Sequence, residues 1–288
     1  ILVVFKPQIL SKKYFNYYNR TQIIEKKSKD NLIVFEVYYA RKEILGRKLN
    51  DYFEQLALEK LQNHLVNREI LPVFIHAHSI FDAGIWAYKY SSTFNIPFII
   101  TEHQQLSFLN IPKYKSQLAI RSLKAATIYL AVSNDKIRQF AANGLFFDFK
   151  NIGNLISKNF YINPIISKSE KLRFITIGAL SPIKDFRTIF KALEIVDKQL
   201  TQKAEFIWIG QTSWGKKNDE SVQELLSNYN FTNIDIILEP ILNRDQIATY
   251  LNSAHLFLFS SLSEGMPVSV LEALACGLAV FTSNCGGV

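Results

Sequence analysis

Two glutamates stand eight positions apart in the segment Ser260-Ser261-Leu262-Ser263-Glu264-Gly265-Met266-Pro267-Val268-Ser269-Val270-Leu271-Glu272-Ala273-Leu274-Ala275-Cys276-Gly277. Paired carboxylates serve as acid and base, or they accept hydrogen bonds from hydroxyl groups. The surroundings favour the second use. Leu256 to Phe259 reads as a buried strand, Gly265 as a turn, Pro267 as the opening of a short apolar helix and Gly277 as its end. The first-turn amides of Val268, Ser269 and Val270 are then expected to point outward with the positive end of the helix dipole, an arrangement suited to a phosphate or diphosphate. Glu264 precedes the helix and Glu272 lies just over one turn inside it, so the carboxylates flank the anion site. A glycoside hydrolase also pairs carboxylates, but roughly 5 to 9.5 Å apart, whereas eight helical residues rise about 12 Å; the spacing disfavours hydrolysis.

Further chemistry-bearing residues lie at other expected strand ends. Phe174 to Ile177 leads through a turn at Gly178 to a helix start at Lys184, a cation placed to meet an anion. Ile75-His76-Ala77-His78-Ser79 and Phe98-Ile99-Ile100-Thr101-Glu102-His103 each end a strand, with Glu102 expected to point away from His103. His76, His78 and His103 could in principle form a three-histidine zinc site, but no nearby Asp, Cys or helical His supports one, and no metal ligand is assigned. Gly210 to Lys216 fits the phosphate-loop spacing G-x-x-x-x-G-K, yet Lys217 stands where Ser or Thr must hold Mg²⁺, so a nucleotide hydrolase is set aside. Asn154, in Asn151 to Ser157, reads as a turn-capping residue.

Glu264 and Glu272, set in SEGMPVSVLEALACGLAVFTSNCGG, resemble the donor-site signature of glycosyltransferase family 4, retaining enzymes built from two facing Rossmann-like domains. The resemblance is strong from Leu172 onward and general before it. It implies that Glu264 binds hydroxyls of the transferred sugar and Glu272 the nucleotide ribose. Met266, Pro267 and the 268–270 amides would hold the diphosphate, with Gly178 and Lys184 opposite. His103 matches a histidine that contacts the donor sugar, and Asn154 an asparagine that precedes the crossing between domains; Glu264 and His103 are the expected catalytic pair. The family's usual arginine beside this lysine is replaced by Ala179, leaving Arg187 as a substitute one turn on. The implied reaction moves a hexose from a UDP-sugar or GDP-sugar to a hydroxyl of a glycan or lipid-linked acceptor, with no cofactor and no metal. An epimerase of the same architecture and a non-catalytic nucleotide-sugar-binding module are the competing readings. The resemblance also implies a chain short of the family's opening strand with its Gly-rich loop and of its closing helices.

The elements that must position these residues alternate along the chain. Short runs rich in Ile, Val and Phe, near 1–5, 32–39, 72–76, 97–101, 127–132, 150–155, 172–177, 205–209, 234–238, 255–260 and 278–282, read as strands. Helical periodicity falls at 51–66, 80–93, 112–125, 184–199, 218–229, 243–252 and 267–276. This is the pattern of an α/β fold with doubly wound parallel sheets, divided at the polar 157–171 stretch into an acceptor-side domain, 1–162, and a donor-binding domain, 163–288. Of 288 residues 48% are apolar, enough for two cores, and no apolar run reaches the length of a membrane span. Residues 1–165 carry 22 Lys+Arg against 12 Asp+Glu, and residues 166–288 carry 11 against 13. A basic first half suits peripheral contact with an anionic membrane; nucleic acid is not expected, because the charge is dispersed and no recognition motif is present. Two cysteines without a framework suit a reducing cytoplasm, at the inner face of the plasma membrane.

Overall fold

The computed structural model describes residues 2–9, 21–27, 33–41, 47–103, 111–210 and 222–288. They gather into two compact units: Ile1–Ala77 with Phe81–Ile99 and Leu118–Thr127, and His78–Ile80 with Ile100–Gln117 and Ile128–Val288. The strand ends at His78 and at Ile100–Glu102 therefore belong with the second unit, which also holds every residue considered below as a site.

In the first unit, β1 (Leu2–Ile9), β2 (Gln22–Lys27) and β3 (Ile33–Arg41) form a sheet in the order β1-β3-β2. β1 runs parallel to β3, and β2, which hydropathy does not single out, runs antiparallel. Alternation on β3 sends Phe35, Val37 and Tyr39 into a core with Leu58, Leu61 and Leu65 of α1 (Arg47–Asn67). Glu36 faces the other way, paired with Lys6 at 2.6 Å and Lys26 at 3.0 Å. Hydrogen bonds from Lys6, then Lys26 and Tyr38, hold its carboxyl down at about 2.

A four-stranded sheet follows the order β4 (Ile75–His78), β5 (Phe98–Glu102), β6 (Ile128–Ala131), β7 (Phe149–Asn151), with α2 (Ala83–Phe94), α3 (Lys113–Ala125) and α4 (Asn134–Ala142) between successive strands. α4 is a helix that periodicity alone misses. Ser133 caps it, accepting from the Lys136 amide.

The remaining strands are β8 (Leu172–Ile177), β9 (Ala204–Ile209), β10 (Ile234–Glu239), β11 (Leu256–Phe259) and β12 (Ala279–Thr282), all parallel, in the order β10-β9-β8-β11-β12. Residue alternation loads both faces. Phe174, Phe206, Trp208 and Ile234 pack with Phe186, Ile189, Phe190 and Leu193 of α5 (Phe186–Asp197) and Leu225 of α6 (Val222–Leu226). Ile175, Ile207, Ile209, Phe257 and Phe259 pack with Leu251 of α7 (Arg244–Ser253) and with Val270 and Ala273 of α8 (Val268–Ala275). With helices on both faces and order 3-2-1-4-5, this is a doubly wound sheet. Among the described residues no helix is long and apolar enough to cross a membrane.

Candidate functional site

Strand order in the last sheet reverses between β8 and β11, and ligands of such sheets lie outside the carboxyl ends at that point. The loops leaving those two strands carry Gly178 to Lys184 and Ser260 to Pro267. They are joined directly. Lys184 Nζ donates to Glu264 Oε1 at 2.7 Å, and the Ser261 hydroxyl donates to the same oxygen at 2.6 Å. The two charged side chains are 26% and 19% exposed. Lys184 Nζ also lies 5.0 Å from the centre of the Phe259 ring. A Cβ on Gly178 would sit 3.7 Å from Lys184 Cε, so the lysine stem runs along that glycine.

The lysine does not stand at a helix start. Pro182–Lys184 is a 3₁₀ turn, Asp185 is left-handed at φ 44°, and α5 begins at Phe186. What holds the turn is a pair of buried hydroxyls and an amide: Ser260 Oγ lies 2.8 Å from the carbonyls of Lys184 and Asp185, Ser261 Oγ lies 3.1 Å from Ile183 O, and the Leu262 amide donates to Ile183 O at 2.7 Å. Ser260 and Ser261 are positioning residues that sequence reasoning missed. Their signal is two adjacent hydroxyls immediately after a buried apolar strand.

Gly265 turns the chain beyond Glu264 because nothing larger fits. A Cβ there would come within 1.8 Å of the His103 carbonyl oxygen, and one on Gly287 within 1.9 Å of the Gly265 oxygen. Gly265 O accepts from Ser133 Oγ at 2.9 Å, and the Glu264 amide donates to Cys285 O at 2.7 Å. Contrary to the expectation from sequence, Asn154 does not cap its own turn; its Nδ2 donates to Met266 O at 2.8 Å and its amide to Met266 Sδ at 3.2 Å. The turn-capping role falls to Asn151, whose Oδ1 accepts from Gly153.

His103 follows β5 and lies beside this assembly, its Nε2 2.8 Å from His78 Nδ1 with the rings stacked. Burial lowers its pKa, reinforced by His78 and opposed by a hydrogen bond with Asn154. Glu102 turns instead to the Ile80 amide, 2.9 Å away. Among the described residues no three His, Cys, Asp or Glu side chains gather as metal ligands.

Pro267 occupies the N-cap position of α8 rather than its first turn. Of the three amides expected to point outward, Val270 N–H is turned inward and donates to Pro267 O at 3.2 Å. Those of Val268 and Ser269 have no partner among the described residues and remain as donors. Glu272 lies on α8 itself, where burial raises its carboxyl above the usual range and Arg244 partly opposes the rise. Among the described residues no hydrogen bond or ion pair joins it to the Lys184–Glu264 pair. Arg187 lines a shallow depression with Ser181, Pro182 and Asp185, to which neither glutamate contributes. Residues 211–217 of the phosphate-loop spacing lie outside the described residues.

Residues 157–288 match the family described as glycosyl transferases group 1. The chain is 28% identical over 236 residues to TuaC of Bacillus subtilis (strain 168), whose name places it in teichuronic acid biosynthesis; the match covers 77% of this chain and 55% of TuaC. CapH of Staphylococcus aureus, a capsular polysaccharide biosynthesis glycosyltransferase, is 28% identical over 59% of this chain and 42% of its own length. The chain thus spans about half the length of these curated relatives. A sucrose-phosphate synthase of Thermosynechococcus elongatus superposes with a TM-score of 0.66 at 16% identity, over 93% of this chain and 69% of that one. Anabaena HepE in complex with UDP-glucose gives 0.65 at 18%, over 87% and 68%. These likenesses establish the fold, of the two-Rossmann glycosyltransferase type. From residue 157 to its last residue, the chain is thus similar to the glycosyl transferases group 1 family.

Proposed function

We propose that the protein is a retaining glycosyltransferase that moves a hexose from a nucleotide diphosphate sugar to a hydroxyl of a glycan or lipid-linked acceptor, in polysaccharide or glycolipid biosynthesis. The observation that carries this reading is the convergence of Lys184 and Glu264, 2.7 Å apart, from the two loops at the strand-order reversal. The relatives named for polysaccharide synthesis support the pathway class, and HepE with UDP-glucose supports a UDP-sugar, with a GDP-sugar as the other candidate.

In this reading residues 163–288 bind the donor and residues 1–162 the acceptor. Glu272 accepts from the ribose hydroxyls. The Val268 and Ser269 amides and Lys184 take the diphosphate, which requires Lys184 to leave Glu264; that carboxylate is then released to accept from the sugar hydroxyls. His103 contacts the sugar, and Met266 and Pro267 shape its bed. Charge grows on the diphosphate as the glycosidic bond breaks, so Lys184 and the α8 amides stabilise the transition state more than the ground state. No metal or cofactor has a role. The basic first half would rest on the anionic inner face of the plasma membrane, on the cytoplasmic side, and nucleic acid is not a partner.

The test is product analysis by NMR: the full-length protein with UDP-glucose or GDP-mannose and a lipid-linked glycan acceptor. The reading expects an elongated acceptor whose new anomeric coupling matches that of the donor, with a rate unchanged by EDTA. An epimerised free nucleotide sugar, or an inverted linkage, would overturn it.

A further inference from the structure

Among the described residues, a fully buried cation that this mechanism leaves unused is Lys136. It is 0% exposed, on the first turn of α4, where the helix dipole disfavours a cation. Burying an ammonium is costly unless a charge or hydrogen bonds compensate it. Among the described residues the ammonium makes one hydrogen bond, to Gln139 Oε1 at 3.0 Å, and Gln139 in turn donates to Asp135 Oδ2 at 2.7 Å. An ammonium has three donors, and among the described residues the other two have no partner. The side chain runs toward the donor loop: its Cε lies 3.6 Å from where a Gly265 Cβ would be. α4 is anchored to that loop by Ser133 Oγ on Gly265 O, and Asp135 Oδ2 lies 2.6 Å from where a Gly286 Cβ would be. Burial lowers the lysine's pKa, while the charges of Asp135, Glu102, Glu264 and Cys285 oppose that fall.

We propose that Lys136 is a positioning residue of the donor site, a fixed counter-charge that stays beside Glu264 when Lys184 transfers to the diphosphate. The proposal rests on the donor-site reading above. Glu264 has the Lys184 ammonium at 2.7 Å. Donor binding removes it, and a partly buried carboxylate then has to orient sugar hydroxyls with only Ser261 and the field of Lys136 to hold it. The cost of burying Lys136 is thereby offset in the complex, where Glu264 is set against the sugar. Its effect should fall on the sugar and not on the nucleotide.

The experiment is calorimetry on the full-length protein with UDP, GDP and ADP, and with UDP-glucose, GDP-mannose and ADP-glucose. Wild type is compared with Lys136→Met, Lys136→Arg, Glu264→Gln and the Met–Gln double variant. The proposal expects Lys136→Met to weaken the sugar conjugate about tenfold more than the free nucleotide, Lys136→Arg to restore most of that difference, and Glu264→Gln to abolish it in the double variant. Equal weakening of nucleotide and conjugate, or an undiminished Lys136→Met effect in the Glu264→Gln background, would overturn it. So would loss of fold in both Lys136→Met and a further, polar variant, Lys136→Gln, which would make the lysine a scaffold residue. If wild type binds no nucleotide, the donor-site reading and this proposal fall together, whereas nucleotide binding without a Lys136-dependent sugar increment removes only the proposal.

Discussion

Glu264 is held by three groups of different kinds: the Lys184 ammonium, the Ser261 hydroxyl and, through its own amide, the Cys285 carbonyl. The one hydroxyl proton of Ser261 favours the carboxylate at 2.6 Å over the Ile183 carbonyl at 3.1 Å. Ser261→Ala should therefore remove one of the two hydrogen bonds that orient Glu264 Oε1, lowering kcat/KM about tenfold, or roughly 1.5 kcal/mol, with a much smaller loss of stability. A kinetic defect matched by an equal fall in Tm would mean that Ser261 holds only the fold. Gly265→Ala forces a Cβ against the His103 carbonyl at 1.8 Å, and urea titration should show a loss of about 2–4 kcal/mol. Glu272 gives a pH prediction. Its folded pKa is raised by burial, so the folded protein holds this proton more tightly than the unfolded chain does, and its contribution to stability grows as pH falls through the folded value. As a ribose acceptor it acts ionised, so nucleotide affinity should fall as pH drops through that same raised value. Glu272→Gln should flatten the profile.

At the scale of elements, the last sheet was legible almost strand by strand, because Phe174/Ile175 and Phe206/Ile207/Trp208/Ile209 load two apolar faces and so read as unbroken runs. β2 was not legible, since Glu25, Lys26 and Lys27 make an antiparallel edge read as a charged loop. α4 is short and largely polar, and only its Ser133 cap marks it. α5 begins two residues later than expected because Asp185 adopts a left-handed conformation that nothing in its neighbours announces. The Lys184–Glu264 pair spans 80 positions, and Lys136 reads as a surface residue until the fold buries it. Asp197, at the end of α5, shows how elements are tied without apolar contact: its carboxylate accepts the amides of Thr232, Asn233 and Ile234 at 2.9, 2.6 and 2.8 Å. Desolvation raises its pKa, yet these amides together prevail and the net shift is downward. Its stabilisation is thus present above the unfolded carboxylate pKa and lost as pH falls through the depressed one. Asp197→Ala should lower the urea midpoint at pH 7 and narrow its gap to wild type in acid; a gap independent of pH would contradict this.

At the scale of the whole molecule, the charge asymmetry between residues 1–165 and 166–288 predicts where a membrane would act. Vesicles containing phosphatidylglycerol should retain the protein at low salt and release it as ionic strength rises, since surface electrostatics are screened within about 10 Å at 0.1 M; retention by neutral vesicles alone would contradict that assignment. The proposed donor site in the second half is supported by the group 1 match at 157–288 and by the strand-order reversal, independently of the acceptor. The most direct measurement is calorimetry of UDP, GDP and ADP against the full-length protein, with Glu272→Ala as control. The account predicts that one nucleotide binds and that the variant loses it. A folded protein that binds none of them, or a Glu272→Ala variant that binds as well as wild type, would contradict the proposed donor site.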